Sequence, residues 1–185
     1  MRLNKIIPLV LSLLMVASLL FAPKAMAGDI YVGAALTQSY VDEQVDADGV
    51  DILLDGDTTG MRLALGYLIN DYFAVELAHT DFGDLNESVL GLDVSAAADA
   101  QEFALLGRLP LSERFGLFGR LGYAWWDGET VVETVVNSTS GKDVFVGAGL
   151  EFAVGESVSF ALSGTKYRLD ELDIAVLGFG IRYRF

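Results

Sequence analysis

The chain has 185 residues, of which 12 are Lys or Arg and 26 are Asp or Glu, for a formal charge of −14, with 52% hydrophobic residues and no cysteine. Acid in that excess excludes a nucleic-acid partner, because such binding rests on cation–phosphate contacts. The missing cysteine excludes a disulfide framework and a thiolate metal site, and the high apolar content requires the acids to be segregated rather than spread through a core.

The first element is "MRLNKIIPLVLSLLMVASLLFAPKAMA", residues 1–27. Basic Arg2 and Lys5, an apolar run from Ile6 to Ala22 and the small-x-small Ala25-Met26-Ala27 read as a cleaved secretory signal peptide. An uncleaved anchor is the alternative, but the run is short for a span and the cleavage pattern follows it directly. Removing Arg2, Lys5 and Lys24 from the 12 basic residues leaves nine against 26 acids, a net −17 over residues 28–185.

That remainder reads as one domain of eight strands, near 29–40, 58–69, 72–80, 100–109, 115–126, 143–154, 158–168 and 174–185. Each is close to the roughly 9–11 residues a tilted strand needs to cross a bilayer. Short connections (Asn70-Asp71, Pro110 to Arg114, Gly155 to Ser157) alternate with longer ones near 41–57, 81–99, 127–142 and 169–173. The acids collect in these longer stretches: seven and no base in 41–57, five and no base in 81–99. Solvated loops are the expectation for them. An even strand number puts both chain ends on the short-turn side.

Alternation assigns the two faces of each strand. One is apolar: Ile30, Val32, Leu36; Met61, Leu63, Leu65, Tyr67; Phe73, Val75, Leu77; Phe103, Leu105; Leu117, Leu121, Tyr123, Trp125; Val144, Val146, Leu150; Phe160, Leu162. The other carries glycine, alanine, small polar groups and charges, together with bulky Phe118, Trp126, Phe145 and Tyr167. Glycines and ionised groups make a poor dry core, so a soluble barrel, with its large apolar groups inside, would need the opposite pattern. The arrangement fits a closed barrel with lipid outside. Tyr67, Phe73 and Phe115 would form one interfacial girdle with Tyr183 and Phe185, and Tyr40, Tyr123 and Trp125 the other.

These features, with "YFAVELAHT", "RLPLSERFGLFGRLGYAW" and the closing "GFGIRYRF", resemble the small OmpA-like outer-membrane β-barrels. The resemblance implies an all-β, eight-stranded antiparallel up-and-down transmembrane barrel over residues 28–185, in the bacterial outer membrane with both termini periplasmic. The alternating Phe179, Ile181, Tyr183 and terminal Phe185 resemble the family's insertion signal, read by the barrel-assembly machinery. OmpA itself carries a peptidoglycan-binding domain after its barrel, which is not expected in a chain that stops at Phe185. Outer-membrane lipids and lipopolysaccharide are the expected surroundings, and no extracellular ligand is specified.

Periodicity sends Arg62, Arg108, Arg120 and Arg182, and Glu76, Glu102 and Glu151, into the lumen. A salt-bridge lattice is expected there, since isolated charges in a narrow interior are heavily penalised. By depth, Glu76 should lie nearest Arg62 and Arg120, and Glu151 nearest Arg108 and Arg182. The resemblance implies a similar inner cluster of charges, without specifying the pairs.

No cofactor or metal site is expected. "DADGVDILLDGD" lacks EF-hand spacing, with Val50 at the third ligand position. The one histidine, His79, falls on the lipid face, and "HTD" places Asp81 where lipid A deacylases of similar size carry serine. Three functions therefore stand: a non-enzymatic outer-membrane protein serving envelope integrity or surface interaction, a narrow conduit for small solutes, and a lipid A-modifying enzyme. An interior filled by side chains favours the first.

Overall fold

The computed structural model describes the backbone of residues 30–47, 50–89, 92–132, 135–169 and 172–185, and the side chains of 30–40, 57–84, 95–131, 138–168 and 174–185. The leader assigned to residues 1–27 lies outside the described residues. Eight strands follow in order: β1 Ile30–Ala47, β2 Val50–Leu68, β3 Phe73–Val89, β4 Leu92–Pro110, β5 Phe115–Val132, β6 Val135–Ala153, β7 Val158–Leu169 and β8 Leu172–Arg184. Each pairs antiparallel with its sequence neighbours, and β1 closes on β8 from Tyr31↔Arg184 to Val41↔Ile174. Within the closed ring no strand edge is free, so the backbone polar groups there are satisfied without water.

At one end the strands join through residues 69–72, 111–114 and 154–157. Asn70 Oδ1 accepts the backbone N–H groups of Tyr72 and Phe73 at 2.8 and 2.9 Å, and Ser112 Oγ accepts that of Phe115 at 3.0 Å. Short polar side chains thus replace the ladder at the reversals. Both chain ends meet here, the Phe185 amide donating to the Ile30 carbonyl at 3.1 Å.

The opposite end corrects one expectation. The connections read as loops at 41–57, 81–99, 127–142 and 169–173 are largely strand, with ladders running to Ala47↔Val50, Val89↔Leu92, Val132↔Val135 and Leu169↔Leu172. Once the barrel fixes register, each further residue meets its partner without new loop closure, and β-branched pairs such as Val131↔Val136 favour the extended chain. Acid content misled because a ladder needs backbone partners, not apolar faces.

The apolar face turns outward, with Leu36 68% and Leu121 61% exposed, while Ala104 and Tyr167 inside are at 0%. One irregularity interrupts the β3–β4 ladder. The β3–β4 register shifts between Asp81 and Asp84, where Gly83 has φ 88° and donates its amide to Asp81 Oδ1 at 2.8 Å. Just ahead of the shift, Phe82 keeps the inward alternation of Glu76, Ala78 and Thr80, and its ring meets Tyr167 edge-on at 5.1 Å in the lumen. A Cβ on Gly83 would strike the Thr59 carbonyl oxygen. Gly83→Val is therefore expected to cost about 1–3 kcal/mol, read as a lower urea midpoint of the barrel in lipid vesicles, and an unchanged midpoint would contradict the backbone assigned to the bulge.

Candidate functional site: the charged lumen

The lumen charges sit on strands whose inward neighbours are small. Arg62 is opposite Ala35 and Thr80, Glu76 opposite Gly66 and Ala104, and Glu102 opposite Ala78 and Ala124. Large and small residues thus alternate around the ring, which lets long side chains cross an eight-stranded interior.

Three of these side chains meet at mid-barrel. Arg62 Nη2 lies 2.6 Å from Glu76 Oε1 and 2.9 Å from Glu102 Oε2, and its Nε donates to Glu102 Oε2 at 3.0 Å. The remaining carboxylate oxygens accept hydroxyls: Tyr31 on Glu76 Oε2 at 2.8 Å, and Thr80 and Tyr167 on Glu102 Oε1 at 2.6 and 2.5 Å. All six residues are at most 8% exposed. Buried ions persist where charge and hydrogen bonds are both supplied, and both carboxylates here have every oxygen engaged.

Arg120 departs from the expected pairing with Glu76. Among the described residues it forms no ion pair; its Nη2 donates to Thr165 Oγ1 and its guanidinium lies 5.8 Å from the centre of the Phe145 ring. The side chain runs along the wall over Gly147 toward β7, because that glycine leaves the wall open, instead of reaching across the lumen. Arg120 Nε and Thr37 Oγ1 are buried without a hydrogen-bond partner among the described residues. Both residues line a cavity of about 30 Å³.

Toward the short-turn end, Glu151 Oε2 takes Arg108 at 3.2 Å and Arg182 at 3.1 Å, while Oε1 accepts Ser159 at 2.7 Å. Arg182 also stacks over Phe118 at 4.5 Å and Tyr31 at 5.6 Å. Such cation–π contact lets the guanidinium sit against apolar surface. Beyond it, a basin of about 360 Å³ lined by Arg108, Glu151, Arg182 and Arg184 opens at the barrel mouth. Toward the long-arm end Phe82, Phe145, Tyr167 and Trp126 are buried in the lumen, and Trp126 Nε1 donates to Asp143 at 2.7 Å.

Sequence reasoning missed Tyr31, Thr80, Phe82 and Leu106 as lumen residues, all at most 5% exposed. Phe179, Ile181 and Tyr183 face outward from β8, Phe179 stacked on Phe160 and Tyr183 edge-on to Phe185. His79 Nδ1 lies 2.7 Å from Gln101 Nε2 on the outer face, and Asp81 is engaged with the Gly83 amide. The side chains of 46–56 in the acidic stretch weighed as a cation site lie outside the described residues.

The outer membrane protein beta-barrel domain model matches residues 9–185 of the chain. Among solved structures, Neisserial surface protein A superposes with a TM-score of 0.65 at 12% identity, covering 84% of this chain and 97% of its own. Ail, the attachment invasion locus protein of Yersinia pestis, gives 0.62 at 25% identity, covering 86% of this chain and all of its own. Ail has also been solved in complex with the heparin analogue sucrose octasulfate, at 23% identity to this chain. The N-terminal barrel of Pseudomonas aeruginosa OprF gives 0.60 at 14% identity, covering 86% and 99%. No curated protein sequence matches the chain.

Proposed function

Because the chain belongs to the outer membrane protein beta-barrel domain family, we propose that it is a non-enzymatic integral outer-membrane protein whose lumen is plugged and whose acidic arms work at the cell surface, in envelope integrity or surface interaction. The observation that carries this reading is the Arg62 guanidinium bridging Glu76 and Glu102 across the lumen. The long arms then face outside and both ends of the barrel face the periplasm, the usual disposition of such barrels. A signal peptide cleaved after Ala27 would deliver residues 28–185, and Phe179, Ile181, Tyr183 and Phe185 would present the insertion signal to the barrel-assembly machinery.

The acidic arms set the kind of surface partner. The Ail structure holds a sulfated polyanion, whereas residues 41–57 and 81–99 here contain twelve acids and no base. Like charge on both sides of an interface costs association, so a cationic surface suits these arms and a heparin-like one does not.

Planar-bilayer recording of the purified, folded protein tests the plug. Wild-type protein is expected to give no steady openings of defined size, and ion-selective openings would favour the conduit. Lipid A mass profiles with and without the protein should be identical, and a lost or added acyl chain would overturn the non-enzymatic reading.

A further inference from the structure

Arg120 carries a charge that the lumen glutamates do not balance. Every oxygen of the three is engaged: Glu76 by Arg62 and Tyr31, Glu102 by Arg62, Thr80 and Tyr167, and Glu151 by Arg108, Arg182 and Ser159. Four inward arginines therefore share three carboxylates, and the surplus cation is Arg120, at 5% exposure. Asp143, the next inward acid of β6, lies two inward positions from Gly147 with Phe145 between them, and receives the Trp126 indole. An arginine cannot shed its proton to escape burial, and a buried charge without a counter-charge is heavily penalised. The Thr165 hydroxyl and the Phe145 ring give Arg120 dipoles rather than a compensating ion.

The cavity beside Arg120 matches that deficit. The polar side chains of its lining are Thr37, Arg62, Arg120, Ser163, Tyr167 and Arg182, three cations and three hydroxyls with no acid among them. Arg120 Nε and Thr37 Oγ1 are the buried atoms of this lining without a hydrogen-bond partner among the described residues. Gly178, in register with both Thr37 and Ser163, lets those side chains approach: a Cβ there would lie 3.1 Å from Ser163 Oγ and 3.7 Å from Thr37 Cγ2. A volume of about 30 Å³ takes one or two water-sized spheres, which suits a single spherical ion and is too small for phosphate, sulfate or a carboxylate. A water would accept the Arg120 Nε–H but bring no charge, whereas a halide accepts it and balances the guanidinium through a charge-assisted hydrogen bond. We propose that Arg120, Thr37 and Ser163 hold one small monovalent anion, chloride or another halide, inside the barrel.

An anion bound only by the folded barrel must stabilise it. Urea unfolding in phosphatidylcholine vesicles, with chloride replaced stepwise by gluconate at constant ionic strength, reads that linkage. Once the site fills, each tenfold rise in chloride should raise the folding equilibrium constant by up to about tenfold. R120Q, which removes the cation, should unfold at the same urea midpoint in both salts. T37V keeps the cation but removes one hydroxyl donor, and should need about tenfold more chloride for the same stabilisation, the worth of one hydrogen bond to an ion. R114Q, at an exposed turn, should respond as the wild type does. A wild type indifferent to the exchange, or an R120Q protein with the full chloride response, would overturn the site. Wild-type crystals grown in bromide give a reading that needs no variant. An anomalous peak within hydrogen-bond reach of Arg120 Nε is expected, and scattering there no stronger than that of a water would overturn the proposal.

Discussion

Replacing Glu102 by alanine is expected to destabilise the barrel by about 3–5 kcal/mol, the range for removing one partner of a buried ion pair. The cost has two sources. Arg62 keeps Glu76 but loses the two contacts its Nε and Nη2 make to Glu102, at 3.0 and 2.9 Å. The Thr80 and Tyr167 hydroxyls, both at 0% exposure, lose the Glu102 Oε1 acceptor they share, and each stranded donor adds a desolvation penalty. Urea unfolding in lipid vesicles reads the loss, and Arg62→Ala combined with Glu102→Ala should cost less than the two single changes together. Strictly additive losses would contradict the pairing. A Glu76–Arg120 cycle should show a smaller coupling than the Glu76–Arg62 cycle, because Arg120 leans to Thr165 whereas Arg62 is ion-paired with Glu76.

The second large effect lies on the outside. Leu121 is 61% exposed, in register with Leu105 and Val146, which also face outward, and it sits between the two aromatic girdles. Leu121→Arg should cost about 2–4 kcal/mol if that surface meets hydrocarbon, against about 0–1 kcal/mol for Phe115→Arg at the short-turn interface. Reversible unfolding in vesicles separates the two. A Leu121→Arg variant as stable as the wild type would mean that the apolar face does not meet lipid.

The architecture was legible because the barrel enforces a period of two on every strand and fills its lumen with residues no soluble core would choose. That pattern alone placed Arg62, Glu76, Glu102, Phe118, Phe145 and Tyr167 inside. Where it failed, the reasons are local. Strand three was ended at residue 80, so Phe82, which continues the inward alternation of Glu76, Ala78 and Thr80, fell in a stretch read as loop; the alternation itself was the available signal. Leu106 broke the expectation that large aliphatic groups face lipid, because its lumen position opposite Arg120 needs apolar filling. Tyr31 belongs to the inner face of β1, whose glycine and alanine neighbours gave little contrast. Pairings were harder than faces. Register fixes where a Cα lies, but the reach of an arginine depends on what its neighbours leave open, and Gly147 let Arg120 run along the wall.

The central claim is that one face of each strand meets lipid while the other is sealed within a packed lumen. The chain has no cysteine, so single cysteines placed in turn from Leu117 to Tyr123 give one spin label each without background. The most direct measurement is the collision of those labels with oxygen, which concentrates in hydrocarbon, and with a water-soluble nickel chelate, in a reconstituted bilayer. Labels at Leu117, Gly119, Leu121 and Tyr123 are expected to collide freely with oxygen, and labels at Phe118, Arg120 and Gly122 to collide little with either reagent. Nickel access at the second set, as high as at an exposed turn residue such as Ser112, would reveal a water-filled lumen and contradict the account.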